Sequence, residues 1–198
     1  MTVADSKYRL EYVNVGSFGK DCDPSIFKQS TLWQLTLTNS LQLPEEKCLP
    51  GTESPKVPYY FVGDEAFGLH THLMRPYGRT HLMLEKRTFN YHLCMARCYV
   101  ECAFRILSNK WRIFHRPRPI NVELDVAVYN EKACNVLHNF VRDRDGYLPE
   151  DTTKISGLED LPKEPTARGG LQANNVQKIL SKYFVTHIGA VSWQMSKI

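Results

Sequence analysis

No apolar run in this 198-residue chain is long enough to cross a membrane, because charges interrupt every stretch of that length. The start, Met1-Thr2-Val3-Ala4-Asp5, has neither the basic residues nor the apolar block of a secretion signal. Internal repeats and low-complexity tracts are missing, and so is any Cys-x-x-Cys pair. The six cysteines are too few for a disulfide-dense scaffold; Cys94, Cys98 and Cys102 stand four residues apart, which suits reduced thiols along one helix. An intracellular protein is expected. Strong charge of one sign is also missing: 25 Lys and Arg against 21 Asp and Glu leave +4, which tolerates a polyanionic partner without requiring one. What remains is ordinary globular composition and enough chain for one domain with a real core.

Tyr8, Leu10 and Tyr12 alternate with Arg9, Glu11 and Val13, predicting a strand that ends at Gly16, with a turn at Ser17-Phe18-Gly19. Thr2 to Ala4 would be the tail of another strand. Asp23-Pro24 reads as an N-cap acid followed by proline at the first helical position, and Ile26, Phe27, Ser30, Leu32 and Trp33 continue that helix. Residues 43–58 carry four prolines and a glycine and read as a loop, and Val57 to Val62 as a short strand running into Gly63-Asp64. From Leu84, the stripe Phe89, Leu93, Ala96, Val100, Phe104, Leu107 and Trp111 predicts a long amphipathic helix, ended by Pro117 and Pro119. A second helix is expected over Val122–Val141, a loop or linker over 143–170, and a last helix over Leu171–Phe184; the tail to Ile198 carries no assignment.

Three acids stand where chemistry could be built. Asp23 opens a helix, Asp64 follows a strand, and Glu101 lies mid-helix. A strand-end aspartate and a helical glutamate can converge above a sheet and hold Mg²⁺ or Mn²⁺ through hard carboxylate oxygens. Each also has a bland account. Capping explains Asp23, a turn explains Asp64, and an ion-pair ladder with Arg97 and Arg105 explains Glu101. Periodicity alone stops at an α/β domain.

A set of ordered blocks goes further. Phe61-Val62-Gly63-Asp64-Glu65-Ala66-Phe67, Leu73-Met74-Arg75-Pro76-Tyr77, Phe89-Asn90-Tyr91, Ala96-Arg97 with Val100-Glu101-Cys102-Ala103-Phe104, Lys110-Trp111-Arg112 and Val136-Leu137-His138-Asn139-Phe140 together resemble the DDE domain of PIF/Harbinger transposases and their domesticated nuclease relatives. The resemblance runs from about Ala4 to Trp193-Gln194. It implies an RNase H-like fold, a mixed sheet flanked by helices, over residues 1–142, with 143–170 a loop or linker and 171–198 a C-terminal helix and tail. It implies a metal-dependent endonuclease in which Asp64 and Glu101 are the second Asp and the Glu of the catalytic triad. Asp23 resembles a further metal-binding acid, with Asp21 its close competitor, and the implied cofactor is Mg²⁺ or Mn²⁺. The family's first strand and first catalytic Asp are not matched; Asp5 aligns with the end of the second strand instead. Relatives carry Gly where Arg105 stands, and a guanidinium one turn from Glu101 can compete with a cation. Impaired cleavage is therefore expected, and the alternative is a catalytically inactive, truncated or domesticated module that binds DNA or protein.

Lys110, Arg112, Arg116 and Arg118, interleaved with Trp111, suit a phosphate backbone or equally a solvated helix end. No base-reading module is present in the sequence, so the resemblance implies a separate Myb-like DNA-binding partner, DNA as substrate, and the nucleus, with the cytoplasm as alternative. A zinc reading of His70, His72, His81 and His92 with the cysteines lacks paired ligand spacing, and buried or surface thiols are preferred. His138-Asn139 reads as packing and hydrogen bonding within its helix.

Overall fold

The computed structural model describes residues 1–16, 22–78, 80–115, 122–146 and 169–198. In chain order the elements are β1 (Thr2–Ala4), β2 (Leu10–Val13), α1 (Asp23–Gln29), α2 (Thr31–Leu37), β3 (Lys47–Cys48), β4 (Lys56–Val57), β5 (Phe61–Val62), β6 (Leu73–Met74), α3 (Leu84–Lys110), α4 (Leu124–Asp145) and α5 (Leu171–Tyr183). This is a mixed α/β chain. Its contacts divide it into two units, one of Met1–Ser30 with Cys98–Gly157, the other of Thr31–Arg97 with Leu158–Ile198.

In the first unit β1 and β2 pair antiparallel, Val3 facing Tyr12, with the register slipping between Val3 and Ala4. Asp5 builds the turn: its Oδ1 accepts the Lys7 and Arg9 amides at 2.8 and 2.9 Å. Tyr8 therefore sits in the turn at φ 63°, not in the strand that the alternation predicts. Tyr8 and Leu10 are buried with Ala103, Leu107 and Cys134, and Trp111 and Ile113 pack against that cluster. The His138-Asn139 pair corrects the sequence reading, because its bonds leave the helix. His138 Nε2, 2.7 Å from the Tyr8 carbonyl, donates to it, while Asn139 accepts the Leu10 amide at 2.8 Å and donates to the Leu10 carbonyl at 2.9 Å. One amide side chain thus stands in for a strand neighbour along β2.

Helix α1 begins one residue earlier than expected. Cys22 is its N-cap and its carbonyl accepts the Ser25 and Ile26 amides, so Asp23 is already helical. The expected continuation through Trp33 is interrupted at Ser30, which is extended (ψ 149°) and returns its hydroxyl to the Phe27 carbonyl at 2.6 Å; α2 then starts afresh at Thr31.

In the second unit, β5 and β6 run parallel with Val62 facing Met74, and β3 and β4 form a small antiparallel pair inside the expected loop. Strand Val57–Val62 is broken because Pro58 has no amide to donate; β4 ends at Val57 and β5 opens at Phe61. Val57, Met74, Phe89, Leu93, Val176 and Leu180 form the core. Asn90 repeats the device of Asn139, accepting the Tyr77 amide at 2.7 Å and donating to its carbonyl at 3.0 Å. The unassigned tail is anchored: buried Gln194 accepts from His92 at 2.9 Å and donates to the Phe184 carbonyl at 3.0 Å, with the His92 ring stacked on Phe184.

Helix α3 matches its predicted start, but its stripe needs correcting. Phe89, Leu93, Ala103 and Leu107 are buried, Ala96 and Phe104 are exposed, and Cys94 and Cys98 are buried instead. A 3.6-residue period identifies a face but not which of its positions a neighbour covers. Helix α5 spans Leu171–Tyr183 essentially as predicted, and α4 runs on to Asp145, into the segment expected to be a loop. Among the described residues the strands form three two-stranded sheets.

Candidate functional site

The parallel pair fixes the surroundings of Asp64. Gly63 extends the ladder by donating to the Met74 carbonyl at 2.9 Å, and it is buried against Phe67, whose ring would lie 3.0 Å from any added Cβ. A larger residue there would have to push the Phe67 ring aside by a few tenths of an ångström. Asp64 follows at once, half-buried, just beyond the carboxyl end of β5, the place where α/β proteins hold ligands. Its Oδ1 accepts the Ala66 amide at 2.9 Å, so one carboxylate oxygen serves the turn. Both readings of Asp64 therefore have a physical basis: the turn engages one oxygen, and the strand end presents the group as a whole.

Arg75 lies at the matching end of β6, and its Nη1 donates to the Glu65 carbonyl at 3.0 Å. Burial pushes its guanidinium below its usual range, opposed by the neighbouring Glu65 charge. Gln177 holds the Arg75 backbone by donating to its carbonyl at 2.8 Å. Sequence reasoning gave Arg75 no role. The available signal was an arginine directly after a two-residue apolar strand, in a block already singled out.

Asp23 occupies the first position of α1, exposed to solvent. With Cys22 as N-cap and no side-chain cap bond made, capping does not account for Asp23; a favourable place at the positive end of a short helix does. Glu101 lies mid-α3, also exposed. Asp23 and Glu101 belong to the first unit and Asp64 to the second. Their carboxylates are the right donor type for a hard divalent cation. Among the described residues, no three His, Cys, Asp or Glu side chains are close enough together to hold a metal ion.

Of the basic candidates, Lys110 is the last residue of α3, its Nζ 3.6 Å from Asp145 Oδ2, and Arg112 is exposed in the following short helix. Arg116 and Arg118 lie outside the described residues, as do Asp21 and most of 143–170. Trp111 packs against the first unit's core, which removes it from the aromatic surface that the Lys-Trp-Arg pattern suggests. The histidines have other engagements. His72 Nδ1 donates to the Tyr59 carbonyl at 2.8 Å, and His70 packs edge-on against Trp33 with its Nδ1 accepting the His72 amide at 3.3 Å. An open cleft of about 680 Å³ runs along Lys47–Pro50 and Val57–Tyr60, and none of the three acids lines it.

His70 yields a pH dependence with a definite sign. Burial, and secondarily the charge of His72, lower its pKa below 6.5. The unfolded chain then binds the extra proton more readily, so this contribution is complete above pH 6.5 and is lost as the pH falls through the lowered value. Urea unfolding near neutral pH and in mild acid should show the wild type losing more stability than His70→Gln; equal losses would remove His70 as the cause.

Compared with known proteins, the family model described as DDE superfamily endonuclease matches residues 1–139. No curated protein and no solved structure matches the chain.

Proposed function

Because this chain belongs to the DDE superfamily endonuclease family, we propose that it is a divalent-metal-binding, transposase-derived nuclease of the PIF/Harbinger type that acts on DNA phosphodiesters. The observation that carries the proposal is the family match, which spans all three acids, together with Asp64 standing beyond the end of a parallel strand. In this reading Asp64 and Glu101 are the catalytic carboxylates, Asp23 is a further metal ligand, and the strands belong to an RNase H-like arrangement. A bound Mg²⁺ or Mn²⁺ would supply the Lewis acidity that phosphodiester cleavage needs. The chain's own contribution is to aim carboxylates. Gly63 fixes where Asp64 leaves the strand, and the Ala66 amide holds one oxygen and so sets the direction of the other. Lys110 and Arg112 are proposed to meet the DNA backbone, with sequence recognition left to a Myb-like partner in the nucleus.

A second reading, a non-catalytic DNA- or protein-binding module, is favoured by Arg105. It stands one helical turn from Glu101, where it competes electrostatically with a cation. Calorimetric titration of the purified chain with Mn²⁺ and Mg²⁺ separates the two. Binding heat that disappears in the Asp64→Ala, Glu101→Ala double variant, with its circular dichroism unchanged, supports the nuclease reading. A folded wild-type chain that takes up neither ion sinks it and leaves the module.

A further inference from the structure

Helix α4 buries one face and carries an exposed apolar stripe on the opposite one. Cys134, Asn135 and His138 are buried against the first unit. At 100° per residue the positions opposite them are Val126, Tyr129, Ala133, Val136 and Phe140, and these are exposed; Tyr129 and Val136 are each 69% and Phe140 58% accessible. A contiguous apolar stripe left in water on a helix is a candidate contact surface. These five residues recur in alternating steps of three and four, the period of a coiled-coil seam and narrower than the face a helix turns to a globular core. Asp143, which would be next in the series, ends the seam; Arg9 holds it at 3.0 Å.

We infer that this seam is the contact between two copies of the chain, with α4 packed antiparallel against α4 of the second copy. Self-complementarity selects this occupant. When Ala133 faces Val136 of the second copy, Tyr129 faces its Phe140, so every aromatic meets an aromatic and the small residue lies at the centre, where the helices approach most closely, while Val126 falls opposite Asp143 at the rim. The flanks agree. In the same register Glu123 at the start of α4 meets Arg144 of the second copy at its end, and the two-fold axis makes that pair twice. A parallel pairing would set Glu123 beside Glu123 and Arg144 beside Arg144. The apolar contact from Tyr129 to Phe140 is about 17 Å long, at the small end for a stable interface, so the dimer should form in the micromolar range.

Equilibrium sedimentation of the full chain from about 1 to 100 µM tests this. Apparent mass should rise to that of a dimer, and Val136→Glu, at a position already in water, should hold the chain monomeric with its circular dichroism unchanged. Arg144→Glu should weaken the dimer about tenfold, and Glu123→Arg with Arg144→Glu should restore it. If Val136→Glu does not fold, the charge pair still decides the matter. A wild-type chain monomeric throughout, a dimer indifferent to Val136→Glu in a folded chain, or a double reversal that fails to rescue would each overturn the inference.

Discussion

Phe89→Ala should destabilise the second unit by about 3–5 kcal/mol, the cost of deleting a fully buried aromatic ring whose surroundings cannot close over the gap. Phe89 is 0% exposed in the core cluster with Met74, Leu93 and Leu180. Its ring meets Tyr77 edge-on at 5.3 Å and lies 6.3 Å from Phe184. Both neighbours are held in place elsewhere. Ser181 Oγ donates to the Gln177 carbonyl at 2.7 Å, which leaves the Tyr77 hydroxyl to donate to Ser181 at 3.0 Å, and Gln194 holds the Phe184 carbonyl. A core tethered in this way relaxes little, so the loss belongs at the upper end of the range. Phe89→Leu, which keeps most of the volume, should cost less than half as much. Chemical denaturation followed by the near-ultraviolet signal measures both; a loss below about 1.5 kcal/mol for the alanine variant would show that the site collapses freely.

Asn139→Ala should destabilise the first unit by about 2–3 kcal/mol, because it leaves both the amide and the carbonyl of Leu10 without their partner. Leu10 is 5% exposed, so water cannot easily replace the two bonds. Asn139→Asp separates the two bonds. An ionised aspartate still accepts the Leu10 amide, but its other oxygen faces the Leu10 carbonyl, and acceptor meets acceptor. At neutral pH the aspartate variant should therefore be no more stable than the alanine variant. In acid it should gain relative to alanine, since a protonated carboxyl can again donate to the carbonyl. An aspartate variant that matches wild type at neutral pH would mean that the donated bond contributes little.

Asn90 and Asn139 show how far the sequence could be read. Both lie in blocks that carried the family resemblance, Phe89-Asn90-Tyr91 and Val136-Leu137-His138-Asn139-Phe140; sequence reasoning assigned Asn90 no role and read Asn139 as bonding within its own helix. In the structure each amide closes on a backbone that the chain reaches elsewhere, Tyr77 for one and Leu10 for the other. Residues that mark a family can thus do so by holding its architecture. Asp23 moved in the opposite direction. The Asp-Pro pair suggested an ordinary cap, but a shift of one residue made Cys22 the cap and left the aspartate without that explanation.

By itself the sequence determined the elements whose causes are local. Periodic apolar residues specified α3, α4 and α5, and Gly63-Asp64 specified an acid at a strand end. These follow from backbone geometry and from contacts a few residues apart. The tertiary structure alone decided what depends on distant chain. It put Gln194 against His92, 102 positions away, and Asn139 against Leu10, 129 positions away. It chose which positions of the α3 face are covered, and it left an apolar stripe of α4 in solvent. Such choices depend on which surface arrives opposite each side chain, and no local pattern encodes that arrival.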